Sequence, residues 1–135
     1  MREADAELLR AHLHIRGGKR RLRQDKDAAG LAALYDALIH SLRWYALENR
    51  TALNIADETE LQDERDIFVR LAQTRVLSNL AEFDALATLV ERAIDDPTFR
   101  LNAAGELAKI ENWLTRLGVM PFDEAALPPE DPATP

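Results

Sequence analysis

Residues 27–49, DAAGLAALYDALIHSLRWYALEN, decide the fold of this chain. Leu31, Leu34, Tyr35, Leu38, Leu42 and Tyr45 recur at steps of three and four, the spacing of one helical face. Ile39, Trp44 and Leu47 fall off that stripe, so the helix is apolar on a second side as well. A helix of that kind is a central element, or one that also meets a second chain, and these three residues are the candidate dimer contacts.

Working outward, the same periodicity extends in both directions. A first helix is predicted over residues 3–24, with Gly17-Gly18 inside it as a point of weakness or bending, since glycine costs about 1 kcal/mol against alanine in a helix interior. After a loop over 50–59, Thr59 with Gln62 reads as a capping box opening a third helix over 60–76, with Leu61, Phe68, Leu71 and Ala72 inward. Ser78-Asn79 breaks the pattern, and Asn79 with Glu82 reads as a second box. The fourth helix then places Phe83, Leu86, Ala87, Val90 and Ile94 on one face. Asp96-Pro97 reads as the cap and first position of a fifth helix carrying Leu101, Leu107, Ile110, Leu114 and Leu117, which stops at Gly118.

No stretch alternates with period two, so the expectation is an all-α antiparallel bundle of about five helices over residues 1–118. Residues 119–135 form a separate C-terminal part. Val119-Met120-Pro121-Phe122 is an apolar clasp, followed by an extended, acidic, proline-rich tail over 127–135. At 135 residues the chain suits one domain. It has no cysteine, which removes thiolate catalysis, thiolate zinc sites and iron–sulfur clusters. No apolar run is long enough to span a bilayer and the N-terminus is charged throughout, so a cytoplasmic protein without membrane association is expected.

The net charge of −7 argues against nucleic-acid binding by the whole surface, but the charge is unevenly spread. Arg10, Arg16, Lys19, Arg20, Arg21, Arg23 and Lys26 face a single acid, Asp25, within residues 10–26. Acids dominate 57–66 and the tail. The candidate partner-binding residues are therefore Arg16, Lys19, Arg20, Arg21, Arg23 and Lys26. Guanidinium groups there can hold the carboxylates of an acidic protein or the phosphates of a ligand or RNA; the bland alternative is a solvated helix end whose cations complement the dipole. The tail is the other candidate for contact with a partner.

Catalytic signals are thin. Gly17-Gly18-Lys19 lacks the spacing of a phosphate-binding loop. His12 and His14 are two residues apart and point to different sides of a helix, so they cannot share a metal. Asp36 and His40 lie four apart on one face, suited to a carboxylate–imidazole hydrogen bond. With no Glu-x-x-His unit, neither a metal nor another cofactor is expected. Trp44, Tyr45 and Trp113 can stack bases, but at helical spacing aromatic residues are core.

Residues 18–49, GKRRLRQDKDAAGLAALYDALIHSLRWYALEN, resemble the HEPN superfamily of small helical bundles. The likeness lies in a basic helix end, a polar turn and an alanine-rich helix with tyrosine, most typically Asp27-Ala28-Ala29 followed by Leu34-Tyr35-Asp36-Ala37-Leu38. The resemblance covers about a quarter of the chain. It implies a bundle that dimerises through long helices, and in some members binding of nucleotides or a partner nucleotidyltransferase. Many members are metal-independent ribonucleases with Arg, four to six residues, then His. Here Arg10 and His14 are separated by only three residues, and no arginine precedes His40 at the required distance. The reading is thus a non-catalytic, homodimeric binding protein. The alternative is a divergent RNA nuclease or an RNA-binding toxin–antitoxin component, with His40 as acid or base, Arg43 stabilising phosphate charge and Asp36 assisting.

Overall fold

The computed structural model describes residues 1–134, apart from the side chains of Glu58 and Ala103. Five α-helices follow one another: α1 (Glu3–Arg23), α2 (Asp27–Glu48), α3 (Glu64–Gln73), α4 (Leu80–Asp95) and α5 (Ala103–Arg116). Single 3₁₀ turns lie at Glu58–Leu61 and Glu124–Ala126. There is no strand among the described residues, and the bundle is all-α.

The tight connection between α1 and α2 sets the frame. Asp25 takes a left-handed conformation (φ 59°), and the amides of Asp25 and Lys26 return to the carbonyls of Leu22 and Arg21 at 3.1 and 2.9 Å. These bonds close the helix end and turn the chain back. The two helices then run antiparallel, as three pairings along their length show. Gly18 meets Gly30 near the turn, Glu7 meets His40 farther along, and Arg2 meets Glu48 at 3.1 Å at the far end.

α1 runs unbroken through Gly17-Gly18. A Cβ on Gly18 would lie 2.8 Å from Leu34 Cγ and 3.1 Å from the carbonyl oxygen of Gly30. One on Gly30 would lie 2.8 Å from Leu22 and 3.1 Å from the carbonyl oxygen of Gly18. Both positions are small because two backbones approach there, and the packing of α2 holds α1 helical through the glycines.

Leu31, Leu34, Leu38 and Leu42 are buried as the stripe requires, and α2 packs against all four other helices. Phe68 of α3 stacks on Phe83 of α4 with centroids 4.5 Å apart, and Trp113 of α5 meets both edge-on at 5.6 and 6.2 Å. The indole NH donates to the Ser78 carbonyl at 3.2 Å, so the ring is buried with its one polar atom satisfied. Trp113 is core and unavailable for base stacking.

Several helix starts differ from expectation. The capping box is Asp57 with Glu60, whose carboxylate accepts from the amides of Ala56 and Asp57, and it opens only a 3₁₀ turn. The chain is re-capped at Asp63, which accepts from the Arg65 amide, and α3 begins there. Asn79 stands before α4 in a left-handed conformation (φ 72°) without a side-chain cap. Ile94 is 68 % exposed, because Ala93 takes the inward position at the end of α4. Asp96-Pro97 opens a turn and no helix: Asp96 binds the amide and hydroxyl of Thr98, Phe99 is buried, and the Leu101 amide is held by Asp27 of α2 at 3.1 Å. That tether delays α5 to Ala103.

Gly118 ends α5 with φ +81°, and the amide of Val119 returns to Leu114 at 2.9 Å. Val119 is buried, its carbonyl lies 3.0 Å from His12 Nε2, and the His12 ring stacks on Phe122 at 3.9 Å. Residues 119–122 thus close against α1. The chain then passes the Glu124–Ala126 turn and runs back along α1 as far as Thr134; Pro135 lies outside the described residues.

Candidate functional site

The cationic residues of α1 do not act as one patch. Consecutive helical positions point about 100° apart, and the structure distributes them accordingly. Arg16 and Arg20, one turn apart, share a face and converge on one carboxylate, that of Glu130 in the C-terminal tail. Arg16 Nε is 3.1 Å from Oε1 and Arg20 Nε is 2.7 Å from Oε2. Arg16 also donates through a terminal guanidinium nitrogen to the Pro128 carbonyl at 2.7 Å. The two arginine side chains are only 16 % and 18 % exposed. The sequence reading treated the basic segment and the acidic tail as separate candidates, and the fold puts them in contact.

The other four cations go elsewhere. Lys19 faces Glu111 of α5 at 3.5 Å, and Arg23 and Lys26 are exposed at the end of α1 and in the turn. The Arg21 guanidinium lies over Gly17, where a Cβ would approach it to 3.0 Å. Gly17 therefore leaves room for Arg21, whereas Gly18 beside it serves helix packing.

Between α1 and the tail lies a groove of about 370 Å³. Leu13, His14 and Gly17 form its helix side, Pro128 and Pro129 the tail side, with the two ion-paired arginines at its edge. The proline side of the tail bridges this space without filling it.

A second polar cluster is built where α1 and α2 run side by side away from their turn. The His40 imidazole is held by Glu7, with Nδ1 2.6 Å from Oε2, and Asp36, the expected partner four residues away, is exposed. Glu7 is 8 % exposed and also accepts from Arg10 at 3.4 Å. The His14 ring stacks on His40 at 5.4 Å with nearly parallel planes. Burial pushes the His14 pKa down; Asp36 opposes this, while His40 and Arg21 add to it. Arg43 lines a separate shallow recess of about 300 Å³ beside Glu3, Glu7 and Leu61. The three residues of the nuclease alternative therefore do not share a pocket. Glu7, which holds His40, lines the recess of Arg43, and Asp36 lines a different recess with His14 and Lys26.

Glu7 escaped sequence reading although a signal exists. It belongs to the spacing Ala4, Glu7, Ala11, Ile15, a carboxylate set into the buried face of the first helix. A charge at such a position needs a partner, and a histidine on the facing helix supplies one.

Ile39, Trp44 and Leu47 are each half-buried, and Trp44 and Leu47 pack against the bundle's own core. No group of three or more metal-ligating side chains comes together among the described residues, and no helix among them is long and apolar enough to cross a membrane. No protein-family profile, curated protein or solved structure matches this chain.

Proposed function

We propose that this chain is a non-catalytic helical-bundle binding protein, similar to HEPN bundles, that engages an acidic protein partner through the Arg16–Arg20 face of α1. One observation carries the reading: two arginines one turn apart close on a single carboxylate. Two partly desolvated guanidinium groups lie within ion-pair distance of one anion, the pairing of charge that arginines offer to carboxylates and phosphates. The net charge of −7 disfavours a polyanion tracking over the rest of the surface, whereas a short acidic segment meets only this face. Self-association through the Ile39, Trp44 and Leu47 side of α2 belongs to the same proposal; a monomer mass by light scattering at high micromolar concentration would remove it.

The test is fluorescence anisotropy with two labelled probes, a glutamate-rich peptide and a single-stranded RNA, across a salt titration. The reading expects the peptide to bind and an Arg16→Glu/Arg20→Glu variant to lose it. RNA binding that falls steeply with salt, without peptide binding, would transfer the site to nucleic acid.

A second reading, a divergent RNA nuclease, is favoured by the Glu7–His40 contact. A carboxylate on Nδ1 fixes the ring and leaves Nε2 as the working nitrogen. It requires RNA cleavage that disappears in His40→Ala.

A further inference from the structure

We infer that residues 127–134 are a built-in competitor. They occupy in cis the surface on which α1 receives an extended, proline-bracketed acidic segment of a partner protein, and that partner binds only as the tail lifts. The inference rests on the reading of Arg16 and Arg20 as the binding site and adds the partner's chemistry and its control.

The tail makes contacts of two kinds. Glu130 supplies the charge to Arg16 and Arg20, and the Pro128 carbonyl accepts a hydrogen bond from Arg16 at 2.7 Å. The second is a contact to peptide backbone, so the face reads a carboxylate and, two residues before it, a main-chain carbonyl. Pro128 and Pro129, without amide donors of their own, keep residues 127–130 extended, and a turn follows in which the Thr134 amide donates to the Asp131 carbonyl at 2.9 Å. The extended stretch 127–130 can lie along a helix without backbone pairing partners of its own.

The hold is designed to be loose. None of residues 127–134 is buried, and a groove of about 370 Å³ lined by Leu13, Gly17 and Arg21 is left open beside the prolines. A partner segment with a larger apolar residue beside its acid fills that space and makes the same polar contacts. Its apparent affinity is then reduced only by the fraction of chains whose tail is docked. A tether this short keeps the tail at an effective concentration in the millimolar range, enough to suppress weak partners and too little to exclude tight ones.

The experiment uses the full chain and a fluorescein-labelled peptide with the sequence of residues 127–134, LPPEDPAT, followed by anisotropy. The protein variant Glu130→Ala releases the tail without touching the core. It is expected to bind the peptide about fivefold more tightly than the parent chain, as the competent fraction approaches unity. A peptide with glutamine for its glutamate is expected to lose binding to both proteins. Adding Arg16→Ala and Arg20→Ala to Glu130→Ala is expected to abolish it, with melting curves showing that the variant remains folded. Equal affinity for the parent chain and Glu130→Ala would overturn the competitor while leaving the arginine site standing. Binding that survives the arginine substitutions would overturn both. Absence of peptide binding, with RNA bound more tightly by Glu130→Ala, would overturn the acidic-segment partner and retain the arginines as a phosphate site.

Discussion

Gly18 of α1 and Gly30 of α2 face each other so closely that a Cβ built on either would stand 3.1 Å from the other's carbonyl oxygen. The antiparallel pair is therefore fixed near its turn by backbone contact, and everything farther along the two helices is brought into register from there. Glu7 reaches His40, and Arg16 and Arg20 are aimed outward toward the returning tail.

The two adjacent glycines should respond oppositely to alanine. Gly18→Ala gains up to about 1 kcal/mol of helix propensity but forces Leu34 and the α2 backbone aside, an overpacking cost of about 1–3 kcal/mol. A net loss of about 1–2 kcal/mol is expected by urea unfolding. At Gly17 the added methyl meets only the flexible end of Arg21, so Gly17→Ala is expected to be neutral or stabilising by up to about 1 kcal/mol. Equal destabilisation by both would refute the assignment of Gly18 to helix packing and Gly17 to room for Arg21.

That pair also shows what could be read from the sequence and what could not. The leucine stripe over 31–42 and the stop at Gly118 follow from periodicity and capping chemistry, which are local. From the sequence Gly17-Gly18 is a weak point in a helix, because the reason for glycine at 18 lies on another helix. Asp96-Pro97 carries every local mark of a helix start, yet Asp27 captures the Leu101 amide and the helix opens later. The candidate site divides the same way. The cations of residues 16–26 were visible as a run, while the selection of Arg16 and Arg20 by Glu130 depends on a contact across more than a hundred residues.

Glu7 ties α1 to α2 away from their turn. Glu7→Ala leaves the His40 Nδ1 without its partner in a largely buried place and is expected to cost about 1–3 kcal/mol in chemical denaturation. Glu7→Gln keeps an acceptor of the same shape and should lose less. If alanine and glutamine behave alike, the hydrogen bond contributes nothing beyond the side chain's packing.

His14 gives the fold a pH dependence above the carboxylate range. Its folded pKa lies below the ordinary value of 6.5, with burial the largest cause, so the folded chain binds fewer protons there than the unfolded one. Stability from this residue is full above the unfolded pKa and is lost as pH falls through it toward the folded value. Asp36 moderates the effect, and His40 and Arg21 reinforce it. Urea midpoints from about pH 7 to about pH 5 should fall less steeply in His14→Gln than in the parent chain. An unchanged slope would show that His14 does not carry the dependence.

Arg70 pins the loop that precedes α3. Its guanidinium donates to the carbonyls of Leu53 and Asn54 at 3.1 and 3.3 Å and to Glu60 at 3.1 Å. Arg70→Ala should raise amide hydrogen exchange across residues 53–61 while leaving α1 and α2 unchanged. Exchange that rises uniformly would mean the loop opens only with the whole bundle.

The most direct measurement follows the side-chain Nε–H signals of the arginines by NMR in the parent chain and in Glu130→Gln. The Arg16 and Arg20 signals are predicted to move together in the variant, while those of Arg2, Arg65 and Arg116, whose Nε–H groups donate to Asp5, Asp84 and the Val76 carbonyl, and those of Arg10 and Arg23 stay in place. Arg16 and Arg20 signals that are insensitive to Glu130→Gln would contradict the convergence of the two residues on one carboxylate, and with it the binding site proposed here.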